Sequence, residues 1–107
     1  MLELSRFDDL RKYVHQTLCA HADLEDSTPL WEGDIVRGGI PLGIEFQLLA
    51  PRSVRLSAIW EAIENRILFY DAEMQRFRTT AVRGPNPEAI PERPRQNPPL
   101  RALWNGK

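Results

Sequence analysis

Apolar residues recur at steps of three and four from Phe7 through Leu10, Val14 and Leu18 to His21, while Asp8, Lys12, Gln16 and Asp23 fall elsewhere around the same cylinder. This spacing predicts an amphipathic helix that buries one stripe. Ser5 stands where an N-cap is wanted, with Asp8 three residues on as an imperfect capping box and Asp9 at the positive end of the helix dipole. The acids and turn-formers of residues 23–29 (DLEDSTP) cannot continue the stripe, so the helix is expected to stop near Ala22.

From Pro29 the period changes to two. Gly38-Gly39 is a two-residue hairpin signal, because paired glycines accept the positive φ angles of a type I′ turn. With Arg37 opposite Ile40, the pairs Ile35 with Leu42 and Trp31 with Phe46 fall on one face, and Ile40, Leu42, Ile44, Phe46 and Leu48 alternate without a break. Ala50-Pro51-Arg52 reads as a turn, after which Val54, Leu56, Ala58, Trp60 and Ala62 alternate again. A turn at Glu64-Asn65 places Trp60 opposite Phe69 and Ala62 opposite Ile67, with all four facing the helix. A three-residue turn at Ala72-Glu73-Met74 sets Phe69 opposite Phe77, Ile67 opposite Thr79 and Tyr70 opposite Arg76, with Met74 where glycine is usual. This last stretch, FYDAEMQRF, resembles the aromatic–Asp–turn–Arg hairpins of YD-repeat proteins. A single copy lacking the turn glycine implies a hairpin here and not membership of that family.

Past Val82 the composition shifts. Pro85, Pro87, Pro91, Pro94, Pro98 and Pro99 lie within fifteen residues and exclude both helix and central strand. The expected fold class is therefore α+β: one N-terminal amphipathic helix packed on a four- to five-stranded antiparallel β-meander over residues 1–82. A Pro-rich extended tail, residues 83–107, is expected to end in an apolar anchor of Leu100, Leu103 and Trp104.

A chain of 107 residues, 42% apolar and 27% charged, has room for one modest core. It carries no apolar run near the roughly 20 residues that cross a bilayer and no apolar leader at its start, so a soluble, cytoplasmic protein without a membrane partner is expected. The single cysteine, Cys19, fits a reducing compartment. Charge is unevenly laid out: residues 1–36 sum to −5, residues 37–83 to +2 and residues 84–107 to +2. Nearly all of the positive charge is guanidinium, which suits bidentate contacts with carboxylate or phosphate.

Candidate chemistry is thin. His15 and Cys19 are four residues apart on the helix, the spacing of a ligand pair, but no CxxC or HExxH supplies further ligands. His21 lies roughly 120° around the helix from His15 and reads as a core-edge residue. Gly33, Gly38, Gly39 and Gly43 sit in a hairpin with no following helix, so no phosphate loop is formed. Ser57 lacks a nucleophile elbow, and Glu61 and Glu64 are scattered by alternation and turn. The expectation is a non-enzyme with no cofactor, metal or small-molecule substrate. One constellation remains, on the sheet face away from the helix, where Arg55, Ile59, Leu68, Tyr70, Arg76 and Arg78 are expected together. The leading reading is a non-catalytic protein-interaction module able to self-associate through that face or through Leu100, Leu103 and Trp104. The alternative is a single-stranded nucleic-acid-binding domain that uses the arginines and Tyr70 of the same face.

Overall fold

Among residues 2–84, which the computed structural model describes, the chain opens with a two-residue strand, β1 (Leu2–Glu3), that no periodicity announces. It is followed by the expected helix, α1 (Phe7–Ala22). Ser5 is not its cap. The N–H of Leu4 donates to the carbonyl of Arg83 at 2.9 Å, and the backbone stays extended through Arg6, which takes the cap position without a side-chain cap bond. Asp8 and Asp9 lie in the first turn, where the helix dipole favours them. At the other end Asp23 adopts a left-handed conformation (φ 57°), and the next N–H closes on the carbonyl of Cys19 at 2.8 Å.

Five strands then run as the expected meander: β2 (Leu30–Arg37), β3 (Ile40–Leu49), β4 (Arg55–Glu61), β5 (Arg66–Tyr70) and β6 (Arg76–Arg83). The sheet order is β1-β6-β5-β4-β3-β2. The expectation of four to five antiparallel strands is thus corrected to a six-stranded mixed sheet, because β1 pairs in parallel with the outer side of β6. A pairing of two residues leaves no period to detect in sequence.

Two bulges correct the expected registers. Gly38 and Gly39, at φ 60° and 80°, make the hairpin turn with Arg37 opposite Ile40, as expected. Then Val36 pairs with Pro41 but Ile35 pairs with Gly43, so Leu42 is one residue too many. Trp31 consequently faces Gln47 instead of Phe46, and the side of β2 turned to the helix is the one bearing Leu30, Glu32 and Asp34. Further along, Trp60 pairs with Ile67 instead of Phe69, a shift of two residues that keeps both on the helix side. In β6, Tyr70 pairs with Arg76 as expected, but Phe69 pairs with Arg78, which makes Phe77 the second extra residue. Met74 does adopt the left-handed conformation (φ 63°) of the glycine position, and the Asp71 carboxylate accepts from the N–H groups of Glu73 and Gln75 to shape that turn.

The core lies between α1 and the sheet. Leu10, Val14 and Leu18 are fully buried against Ile44, Phe46, Leu48, Ala58, Trp60, Ile67 and Phe69. Trp60 is the largest of these, with the Phe7 ring edge-on at 5.6 Å and its indole N–H donated to Asn65 at 2.8 Å. No described helix is long and apolar enough to cross a membrane.

Two substitutions test this frame. A Cβ at Gly43 would stand 2.1 Å from the carbonyl oxygen of Trp60, so Gly43→Ala must push two backbones apart and should cost about 1–3 kcal/mol or more in urea unfolding. An unchanged midpoint would mean that β3 and β4 are not in such close approach. Met74 is 71% exposed and left-handed, so Met74→Gly should gain roughly 0.5–1 kcal/mol by relieving strain with little packing lost. A loss in the same melt would contradict the turn.

Candidate functional site: the sheet face opposite the helix

Side chains directly opposite one another across an antiparallel sheet share a face, so the register assigns the second face row by row. One row, from β2 to β6, is Trp31, Gln47, Ser57, Tyr70 and Arg76. The next is Gly33, Glu45, Ile59, Leu68 and Thr79. Arg55 flanks the first row opposite Leu49, and Glu61 flanks the second opposite Arg66, with Arg66 Nε 2.6 Å from the Glu61 carboxylate. That carboxylate raises the Arg66 pKa above its ordinary value.

Of the residues expected here, Arg55, Ile59, Leu68, Tyr70 and Arg76 do share the face. Arg78 does not. The bulge at Phe77 turns it to the helix side, where it borders a shallow groove with Tyr13, Thr17 and His21. Phe77 is drawn the same way, stacking on the His21 ring at 3.6 Å and touching Phe69 at 5.9 Å. Leu100, Leu103 and Trp104 lie outside the described residues. Gln47 and Ser57 lie on the face as strand alternation implies, and Trp31 joins it unexpectedly; the available signal was Gly43, since glycine inside a strand marks a bulge or a close backbone approach.

The face is not a wetted surface. Trp31 is 7% exposed, Leu68 6%, Gln47 4% and Ser57 7%, although α1 packs on the other side. The Oε1 atom of Gln47 is buried without a hydrogen-bond partner. Arg76 is exposed at one end of its row, and neither Glu45 nor Arg55 is without a partner. The face therefore combines Trp31 on the edge strand β2 and an apolar pair, Ile59 and Leu68, on β4 and β5, with the polar Gln47, Ser57 and Glu45 between them and arginines at its margins.

The remaining reactive groups are engaged structurally. His15 Nε2 lies 2.7 Å from the Thr28 carbonyl, and the buried Cys19 thiol donates to the Glu25 carbonyl at 3.5 Å, so both tie the 23–29 loop to the helix. Among the described residues no group of three or more His, Cys, Asp or Glu side chains could hold a metal ion. On the helix side of β2 the buried Glu32 carboxylate is gripped by the Arg11 guanidinium through Nε and, at 3.2 Å, through Nη2. This hydrogen bond raises the Arg11 pKa.

Comparison with protein-family models, with curated proteins and with solved structures finds no match.

Cys19 makes the loop anchor measurable. Burial, and after it the charge of Asp26, pushes its thiol above the ordinary value of 9.0. A folded pKa above the unfolded one gives stability that is complete at low pH and lost as pH rises past about 9 through the folded value. The urea midpoint of the wild type should therefore fall above pH 9 more steeply than that of Cys19→Ala. Parallel falls in the two proteins would remove Cys19 as the cause.

Proposed function

We propose that this domain is a non-catalytic protein-interaction module that takes up an apolar segment of a partner on the sheet face opposite α1. The observation that carries this reading is the second face itself, where Trp31 and Leu68 sit as deeply as core residues with no described helix above them. Around them Ile59 and Tyr70 are half-buried, and Arg76 stands exposed beside Tyr70. Such a mixture of aromatic anchors with a polar edge suits a protein segment. A single-stranded nucleic acid would want more free cation than the face retains once Arg78 is turned away and Arg66 is paired with Glu61.

Selection from a displayed random-peptide library tests the proposal, with wild-type protein and Ile59→Glu as parallel baits. The expected outcome is a consensus containing Trp or Leu that binds the wild type and is weakened roughly tenfold or more by the charged substitution. The same two proteins are passed over immobilised single-stranded oligonucleotide. Retention there that falls as salt rises, with no peptide consensus, would assign the face to nucleic acid instead.

A further inference from the structure

The outer edge of β6 is covered along only part of its length. β1 pairs with Val82 and Arg83 alone, and the N–H of Leu4 takes the Arg83 carbonyl. The Val82 N–H points the other way, to the Asn65 carbonyl at 3.0 Å. Alternation along the strand therefore turns the N–H and C=O of Thr79 outward, past the end of β1 and with no partner among the described residues. Thr79 is exposed, as are Arg76, Arg78 and Ala81, so this is an open stretch of edge of the kind that proteins usually shorten or cover.

Charge says what would sit there. Arg83 lies opposite Glu3 of β1, but Arg76 and Arg78, on opposite faces of the strand, make no ion pair or hydrogen bond among the described residues. Arg78 borders a groove of about 340 Å³ between β6 and α1, where Gln16 offers an amide, Thr17 a hydroxyl and His21 a ring stacked on Phe77. Among the described residues no carboxylate lines this groove. We propose that the open edge of β6 is a second docking surface, which takes an extended acidic segment of a partner protein as an added strand collinear with β1. The backbone of that segment bonds to Thr79, and one of its carboxylates enters the groove at Arg78. Main-chain hydrogen bonds supply the affinity of such an arrangement, and the groove supplies the choice of side chain. A second copy of the chain fits less well, because its acidic strand is β2, whose Glu32 is already held by Arg11. The edge lies apart from the face opposite α1 and stands whether or not that face binds a segment.

Titration of the full-length, isotope-labelled protein with a synthetic peptide of alternating Glu and Val, followed by nuclear magnetic resonance, tests the proposal. The expected result is that the Thr79 amide shifts and exchanges more slowly with solvent, while the amides of Trp31 and Ile59 stay in place. Arg78→Glu should weaken the peptide roughly tenfold or more, and Ile59→Glu should leave its affinity unchanged. N-methylation along the peptide leaves the protein itself unaltered and should abolish binding at alternate positions only, the signature of an added strand. No change at Thr79, indifference to Arg78→Glu, or loss of binding in Ile59→Glu overturns the proposal. A single-stranded oligonucleotide that causes the same Arg78-dependent shifts, where the peptide causes none, would assign the arginines to nucleic acid instead. Sedimentation of the protein alone closes the last route, since association that grows with concentration and disappears in Arg78→Glu would give the edge to a second copy of the chain.

Discussion

The backbone of Gly43 approaches that of Trp60 so closely that a methyl group would lie 2.1 Å from the carbonyl oxygen, and the assignment of both sheet faces depends on that approach. It accompanies the extra residue Leu42, whose carbonyl accepts the N–H of Ala62 at 2.9 Å. A slip of one residue exchanges every side chain of a strand between faces, and here the strand is β2. Leu30, Glu32 and Asp34 turn toward α1, and Trp31, with its large apolar area, turns to the far side. A regular hairpin would have buried Trp31 under the helix and left the second face without its aromatic anchor.

The exchange has an electrostatic consequence. Glu32 becomes a buried carboxylate facing the aromatic and aliphatic core, opposite Phe46, and an unpaired charge there is strongly destabilising. Arg11, one residue after the core residue Leu10, answers it with two guanidinium nitrogens on the two carboxylate oxygens and reaches Asp8 with a third contact. The planar fork matters because a lysine could not make the paired contact. The helix is thereby fixed to β2 by charge at one edge of the sheet and by the stacked rings of His21 and Phe77 near the other. Between these edges the aliphatic stripe has no directional preference of its own.

The parts of this fold legible in the sequence are those that depend on local pattern. The helix stripe, the Gly38-Gly39 turn, the five meander strands and the Tyr70 and Arg76 pair all follow from period and turn chemistry. The misread parts depend on contacts between distant residues. β1 is too short to carry a period and exists because β6 offers it an edge. The register of β2 is misread from pattern alone because a regular hairpin pairs Trp31 with Phe46 and Ile35 with Leu42 on one face, and nothing in a linear pattern says that Arg11 will satisfy Glu32 across the layer. Arg78 was misplaced for a similar reason, since the bulge that turns it is favoured by Phe77 reaching His21 and Phe69, a tertiary gain. Most of the candidate face was thus legible, and Trp31 was hidden by a single extra residue.

The two bulges, on opposite sides of the sheet, act on the second face in the same chemical direction. The one in β3 adds an indole, and the one in β6 removes a guanidinium. Phosphate recognition scales with the number of cations that displace counterions, each worth close to one unit of salt slope, so losing one arginine from a small set weakens that option measurably. Burial of an aromatic anchor in a well-packed site contributes more to protein recognition than a solvated rim charge does. Gln47 and Ser57, in the same row as Trp31, set a further condition, because an aliphatic layer laid over them would leave polar atoms unsatisfied. A layer that covered this row without leaving those atoms unsatisfied would need apolar side chains together with at least one well-placed donor.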